Sequence, residues 1–296
     1  MKTPIFTGSG TAIVTPFTKD GTGINYETMG ALIDEQAENG TACIVVCGTT
    51  GENATQPLDE HEQLVDFCVK KTAGRMKVVA GVGSNDTMTS IRLARSAEKS
   101  GVDGILMVTP YYNKTSQAGL VQHFTYVADR VSVPMIVYNV PSRTGIGIAA
   151  ETYKILSEHP NINGVKEASG DLSLFSRTRA LCGDELNIWS GNDDNTVPMM
   201  AMGAKGVISV ASNIMPRMVA DLCELCLKKD FDGASRLYFK YADLFAKLFI
   251  EVNPIPVKTA MQLMGYDVGP LRLPLVPPSA DNLEKLKTSL KGAGLL

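Results

Sequence analysis

Eight short apolar runs, rich in β-branched residues, recur along the chain and are separated by longer stretches of mixed polarity. Each run predicts a β-strand, at residues 10–16, 42–48, 77–83, 104–110, 134–140, 162–168, 186–191 and 206–212. Apolar residues are continuous within a run and do not alternate with polar ones, which is typical of parallel strands covered on both faces. The pattern therefore predicts a buried parallel sheet.

The stretches between the runs have the spacing of amphipathic helices. The first begins after Asn25, a favourable N-cap residue, and ends near Gly40, and the second covers Pro57 to Lys71. Further helices are predicted at about 87–100, 117–130, 149–158, 171–182, 194–202 and 216–229. Eight strands, each followed by a helix, predict an α/β protein with a (β/α)8 TIM barrel.

An open, doubly wound sheet is the alternative architecture. Such a sheet usually has fewer strands and a glycine-rich phosphate loop after the first of them. Here the first strand runs into "VTPFTKDG", and no G-x-x-x-x-G-K-[ST] occurs in the chain. After residue 229 only helical patterns follow, so we predict a barrel domain at 1–229 and a helical C-terminal domain at 230–296.

Composition narrows the class of partner. The 296 residues carry a net charge of −3 with 44% hydrophobic residues, so no basic surface for nucleic acid or for an acidic membrane is indicated. No apolar run approaches the roughly 18 residues of a membrane span, and the first 20 residues, interrupted by Pro and Gly, do not resemble a signal peptide. Six scattered cysteines suit reduced thiols in the cytoplasm.

Lys166 interrupts an otherwise apolar strand in "INGVKEASG". An ordinary lysine has a pKa of about 10.4, so only about one in 2,500 is neutral at pH 7. Burial favours the neutral amine, which can form a Schiff base with a carbonyl compound. An ion pair with Glu167 is the alternative, but neighbouring strand residues point to opposite faces. We therefore predict that Lys166 is a nucleophile.

Other polar residues follow the predicted strands, where a (β/α)8 barrel collects its reactive groups. A phenol such as Tyr138 beside an imine-forming lysine can relay protons. Thr49 and Thr50 form a turn whose hydroxyl and N–H groups suit a carboxylate, and the guanidinium of Arg143 can bind one bidentately. Each also has a plain structural interpretation as a packing residue, a turn or a surface charge.

Metal and triad chemistry is not indicated. None of the three histidines follows a predicted strand, and Cys223-x-x-Cys226 lacks a second ligand pair for zinc. Asp193 and Asp194 open a predicted helix and are interpreted as its cap. We predict no metal site.

Five motifs, in order along the whole chain, resemble the dihydrodipicolinate synthase family. They are "GTTGE" (48–52), "PYYNK" (110–114), "YNVPSRTG" (138–145), "VKEASG" (165–170) and "NPIPVK" (253–258). The resemblance implies a lyase that condenses pyruvate with L-aspartate 4-semialdehyde in diaminopimelate and lysine biosynthesis. It also implies a homotetramer built as a dimer of dimers, without organic cofactor or catalytic metal.

The resemblance assigns a role to each matching residue. Lys166 would form the imine with pyruvate. Tyr138, Thr49 and Tyr112 would form a proton relay, with Tyr112 reaching in from a neighbouring subunit.

The same resemblance assigns four binding residues. Thr50 would hold the pyruvate carboxylate, and Arg143 would meet the carboxylate of the semialdehyde. Gly191 and Ile208 would line the pocket.

Two other functions remain possible from sequence. N-acetylneuraminate lyase or a keto-sugar-acid aldolase shares the lysine and the tyrosine, but usually has G-S-T-G-E and lacks counterparts of Arg143 and Tyr112. A keto-acid-binding regulatory barrel would lack some of the reactive residues, which are all present.

Where lysine-inhibited relatives have a His and a Glu, this chain has Leu58 and Thr89, so we expect weak or no inhibition by lysine.

Overall fold

The computed structural model describes residues 1–296 and contains a closed barrel of eight parallel strands in sequential order. The strands are β1 Gly8–Ala12, β2 Cys43–Val46, β3 Lys77–Gly81, β4 Gly104–Val108, β5 Met135–Asn139, β6 Ile162–Glu167, β7 Asn187–Ser190 and β8 Gly206–Ser209. Pairing of β1 with β8 closes the barrel. The predicted TIM-barrel fold is thus confirmed.

Twelve helices surround and extend the barrel. They are α1 Tyr26–Glu38, α2 Leu58–Thr72, α3 Thr87–Ser100, α4 Gln117–Ala128, α5 Pro141–Thr144, α6 Ala150–Ser157, α7 Leu172–Cys182, α8 Thr196–Ala201, α9 Pro216–Leu227, α10 Phe231–Lys247, α11 Ile255–Leu263 and α12 Ala280–Gly292. The predicted cap at Asn25 is confirmed, because its side chain accepts from the Thr28 N–H. The predicted division at residue 229 falls between α9 and α10, and the two-domain organisation stays a prediction.

All eight predicted strands run one to four residues past the observed C-terminal ends. The surplus residues turn into the loops at the C-terminal mouth, where they form short helices and turns. Helix α5 begins directly after the predicted fifth strand, and the sequence pattern did not reveal it because four residues are too few to show a helical period.

Side chains inside the barrel form a small core of their own. Trp189 and Phe6 stack with ring centroids 5.1 Å apart, and the Trp189 indole N–H donates to the Phe6 carbonyl. Tyr138, Ala168 and Ile208 belong to the same cluster. The much larger outer cluster lies between the strands and the surrounding helices. The small core fills the barrel beneath the mouth, and the reactive residues sit above it.

The C-terminal helices are fixed to the mouth by a buried ion pair. Lys258 Nζ in α11 lies 2.7 Å from Glu52 Oε1 in the loop after β2, and it also donates to the Pro270 carbonyl. Lys258 Nζ and the Arg272 guanidinium lie 4.0 and 3.9 Å from the centre of the Phe17 ring. Because an unpaired buried charge is costly, this arrangement ties the extension to one place on the barrel.

None of the helices has the length and apolar character needed to cross a lipid bilayer. All six cysteines are buried and free.

Candidate active site

The C-terminal ends of β2, β5, β6 and β7 surround a small chamber of about 130 Å³. Its lining comprises Thr49, Thr50, Tyr138, Val140, Ser142, Arg143, Lys166, Ala168, Gly191, Asn192, Val210, Phe249 and Asn253. Six of the eight predicted site residues therefore meet at one cavity and come from these four strand ends, while Val210 after β8 and two residues of the C-terminal extension complete the lining.

Lys166 lies at the floor of the chamber with only 5% of its surface exposed. Burial lowers its pKa from 10.5 to about 7, the nearby charge of Asp193 opposes this, and the charge of Arg143 adds to it. No carboxylate lies within ion-pairing distance of the Lys166 Nζ. The Nζ lies over the ring of Tyr138, 4.4 Å from its centre. A large fraction of this amine is therefore neutral and nucleophilic near pH 7.

Glu167 points away from Lys166, to the outer face of the barrel. Its carboxylate accepts from the Asn139 side chain at 3.1 Å and from the Tyr153 hydroxyl at 2.8 Å. The sequence-based argument against a Lys166–Glu167 ion pair is confirmed. The outer carboxylate has its own partners, and the inner amine has none.

Tyr138 lies beside Lys166, because the two residues are paired in register across β5 and β6. Burial raises the pKa of the phenol, and the charge of Arg143 and hydrogen bonding with Thr49 oppose the rise. The phenol is therefore protonated at neutral pH and can donate a proton into the chamber. Because the phenol is hydrogen-bonded to Thr49, the proton can also pass between these two hydroxyl groups.

A second cavity of about 210 Å³ lies on the other side of Tyr138 and Thr49. It is lined partly by Cys47, Leu106, Val108 and Tyr111, and it shares Arg143 with the first chamber. Tyr138, Thr49 and Arg143 thus line both cavities, whereas Lys166 lines only the first and Tyr111, in the loop after β4, lines only the second.

The two predicted carboxylate-binding residues are joined by a residue that the sequence analysis did not single out. Asn253 donates from Nδ2 to Thr50 Oγ1 at 2.9 Å, and its backbone carbonyl accepts from Arg143 at 3.1 Å. Asn253 is the first residue of the "NPIPVK" motif, so the sequence marked its segment as part of the family resemblance. Because it lies far along the chain from the barrel strands, its position in the site could not be predicted.

Gly191 must be a glycine for the chamber to exist. A Cβ there would lie 2.6 Å from the Ala168 Cβ and 3.1 Å from the Lys166 Cε. Ile208 is fully buried in the core beneath the chamber and is not part of its lining. A role for Ile208 in the pocket wall stays a prediction.

Tyr112 is placed away from the other predicted residues. Its side chain is 92% exposed and its φ of +70° lies in the left-handed region, which is uncommon for a residue with a side chain. The loop after β4 therefore holds the phenol out in solvent.

The interpretation of Asp193 as a helix cap is wrong. Its buried carboxylate accepts from the Ser209 hydroxyl and from the N–H groups of Val210 and Ala211, and α8 has no side-chain cap. The residue ties the end of β7 to the end of β8, because the barrel brings these two strand ends together. No group of three or more His, Cys, Asp or Glu side chains is arranged to hold a metal ion.

Known proteins resemble this chain over almost its full length. The sequence model of the dihydrodipicolinate synthetase family matches residues 5–293. A 4-hydroxy-tetrahydrodipicolinate synthase of a Thermoanaerobacter species is 49% identical over 294 residues, covering 99% of this chain and 98% of its own. The structure of dihydrodipicolinate synthase from Aquifex aeolicus is 46% identical, with a TM-score of 0.95 over 98% of this chain and 99% of its own. A monomeric dihydrodipicolinate synthase variant is 42% identical, with a TM-score of 0.95 over 99% of this chain and 98% of its own.

Proposed function

The chain belongs to the dihydrodipicolinate synthetase family, and we propose that it acts through an imine between pyruvate and Lys166 in the chamber at the barrel mouth. Its reaction is the condensation of pyruvate with L-aspartate 4-semialdehyde to 4-hydroxy-tetrahydrodipicolinate, a lyase-type step of diaminopimelate and lysine biosynthesis. The single observation that carries the assignment of roles is the buried, unpaired amine beside a protonated phenol.

The first half of the reaction needs a neutral amine and a proton donor. The Lys166 nitrogen attacks the keto carbon of pyruvate, and the carbonyl oxygen takes a proton from the Tyr138 hydroxyl. Loss of that oxygen as water leaves a protonated imine. Thr50 and the N–H groups of its turn hold the pyruvate carboxylate, so that the keto carbon faces the amine.

The second half uses the imine as an electron sink. The former methyl carbon of pyruvate loses a proton to the Tyr138 phenolate and becomes the nucleophilic end of an enamine. The enamine attacks the aldehyde carbon of the second substrate, and the aldehyde oxygen takes the proton back from Tyr138. Arg143 binds the carboxylate of that substrate at the chamber wall. The substrate's own amino group then attacks the imine carbon, which closes the ring and releases the Lys166 amine.

Trapping of the imine tests this assignment. Incubation with pyruvate and borohydride should add one reduced pyruvyl group to the peptide that contains Lys166, as measured by mass spectrometry. The Lys166→Ala variant is the control and should gain nothing. An unmodified wild-type peptide at saturating pyruvate would exclude the imine. Comparing turnover of aspartate semialdehyde with turnover of N-acetylneuraminate separates the synthase from a lyase of the same chemistry.

We propose that the enzyme is a homotetramer built from dimers in which Tyr112 of one subunit completes the relay of another. The support is its almost full exposure and its strained backbone, together with the open cavity behind Tyr138. Mixing inactive Lys166→Ala with inactive Tyr112→Phe subunits should restore activity, because each mixed dimer contains one site with both groups intact. No recovery on mixing, or a monomer by light scattering, would contradict the proposal.

We propose weak feedback inhibition by lysine. Thr89 replaces a carboxylate with a hydroxyl that already donates to Asp86 at 2.6 Å, and Leu58 offers no polar atom. An incoming ammonium therefore lacks a charge partner. Activity should be nearly unchanged at about 1 mM lysine, and strong inhibition below that concentration would refute this.

We also propose that the enzyme works in the cytoplasm. The support is that all six cysteines are free thiols, which is the state that a reducing compartment maintains. Fractionation of cells with an antibody to the chain tests this directly.

A further inference from the structure

We infer that Asn253 is a positioning residue that keeps the Thr50 hydroxyl free to donate to the pyruvate carboxylate. This inference rests on the proposed function of the chamber. Asn253 is 5% exposed, follows α10 and is part of the chamber lining. It thus carries a polar contact from the C-terminal extension into the site.

The direction of the hydrogen bond from Asn253 determines where the Thr50 hydroxyl proton points. Asn253 Nδ2 is the donor and Thr50 Oγ1 the acceptor, at 2.9 Å. A threonine hydroxyl has one proton, and an oxygen that accepts from an amide must direct that proton elsewhere. Thr50 makes no other side-chain hydrogen bond, so its proton is available to a ligand in the chamber.

The opposite orientation of the Asn253 amide would use the Thr50 proton inside the protein. In the observed orientation the buried Oδ1 has no partner. In the opposite one, the oxygen would take the Thr50 proton and both N–H groups of the amide would be buried unused. A carboxylate ligand would then face a Thr50 oxygen lone pair and lose its donor.

The turn that carries Thr50 is held in place without Asn253. The Gly51 carbonyl accepts from the Thr15 hydroxyl and the Gln56 amide at 2.7 and 2.8 Å. Glu52 is fixed by Lys258 at 2.7 Å. Replacing the Asn253 side chain should therefore change the orientation of the Thr50 hydroxyl and leave the backbone turn where it is.

The second contact of Asn253 allows the effects of a substitution on the two substrates to be distinguished. Its backbone carbonyl, and not its side chain, accepts from Arg143. A side-chain substitution leaves that carbonyl in place. Binding of pyruvate should therefore weaken while binding of the semialdehyde, which Arg143 serves, stays nearly constant.

A double-mutant cycle tests the inference, using imine trapping with borohydride as a function of pyruvate concentration. We expect Asn253→Ala to raise the half-saturating pyruvate concentration about 10-fold and Thr50→Val to raise it about 30-fold, as for loss of a hydrogen bond to a charged group. The double variant should resemble Thr50→Val alone, at about 30-fold, because Asn253 acts through the hydroxyl that Thr50→Val removes. The KM of the semialdehyde should change less than about 2-fold in Asn253→Ala, since its contact is to backbone.

Gln262→Ala is the matched control, because Gln262 is an exposed residue of the extension that bonds to the Gly269 carbonyl within it. It should leave both half-saturating concentrations unchanged. Additive effects in the cycle, or equal rises for both substrates with a fall in Tm, would assign Asn253 a structural role only and overturn the inference. If Asn253→Ala fails to fold, Asn253→Ser tests the same cycle. Absence of any imine in the wild-type chain would instead refute the proposed function, so the two failures are distinguishable.

Discussion

Lys166 and Lys258 are both buried, and each places its Nζ over an aromatic ring, at 4.4 Å from the centre of Tyr138 and 4.0 Å from that of Phe17. Lys258 also has a carboxylate at 2.7 Å and a backbone carbonyl at 2.9 Å, and Lys166 has neither. Burial lowers the pKa of both amines, but the charge and hydrogen bond of Glu52 oppose this at Lys258. The comparison teaches that burial alone does not make a lysine nucleophilic. The fold must also leave the amine without a carboxylate or carbonyl partner.

The largest expected effect comes from removing the unpaired amine. Lys166→Ala should reduce kcat/KM by at least about 10⁴-fold, because no other lysine lines the chamber to form the imine. Steady-state rates with both substrates measure this. Lys166→Arg is the control that keeps a cation but cannot form an imine, and it should be equally inactive. Substantial activity in either variant would remove Lys166 from the mechanism.

The two lysines should respond oppositely when replaced by methionine. Lys258→Met leaves the buried Glu52 carboxylate without its counter-ion, with only the Arg272 N–H as a partner, and should lower the free energy of unfolding by about 3–5 kcal/mol. Lys166→Met removes an amine whose pKa is lower folded than unfolded, so it should raise stability by about 4 kcal/mol at pH 7. Urea unfolding measures both.

The sign at Lys166 follows from proton linkage. Between pH 7 and 10.5 the unfolded chain holds a proton on Lys166 that the folded chain has mostly lost, so wild-type stability falls as pH falls through this window. Lys166→Met should remove that slope. The Lys258→Met/Glu52→Gln double variant should recover part of the loss from Lys258→Met. Destabilisation of similar size in Lys166→Met and Lys258→Met would break the comparison.

Tyr138→Phe tests the role of the hydroxyl group of Tyr138 separately from that of its aromatic ring. Phe keeps the aromatic face beneath the Lys166 Nζ but removes the proton that serves the carbinolamine, so kcat should fall about 100-fold. The pH at which imine formation is half-maximal should stay where it is in the wild type. A shift of that pH with no loss of rate would mean that the tyrosine tunes the amine and does not relay protons.

The smallest effect concerns the cation beside the amine. The charge of Arg143 lowers the pKa of Lys166, so Arg143→Gln should raise it. Imine formation with pyruvate alone should then be about 2-fold slower at pH 7, because fewer amines are neutral, and should reach the wild-type plateau at higher pH. Stopped-flow or quenched trapping across pH checks this, and an unchanged profile would show that the two charges do not interact.

Sequence predicted the barrel and the buried, unpaired Lys166 because both depend on local signals. Continuous apolar runs identify covered parallel strands, and a lysine such as Lys166 inside such a run stands out against them. The direction of Glu167 followed from strand alternation alone. For these residues, neighbours along the chain determine the environment.

Contacts between distant segments could not be predicted in the same way. Asn253 and Lys258 reach partners 203 and 206 residues earlier in the chain, and their motif, "NPIPVK", marks the segment without indicating which residues it contacts. Asp193 looked like a helix cap because its neighbours are helical, but closure of the barrel brings Ser209 to it. The residues that position the site are the ones that only the three-dimensional fold reveals.

Titration of the Lys166 amine itself tests the central claim most directly. Competitive labelling with a trace of acetic anhydride across pH, read by mass spectrometry with the exposed Lys70 as internal reference, gives the protonation curve of this one amine. The account predicts a midpoint at about pH 7 in the enzyme without substrate. A midpoint above about pH 9 would mean that the amine is charged at working pH, and would contradict the claim that the fold keeps it ready to attack.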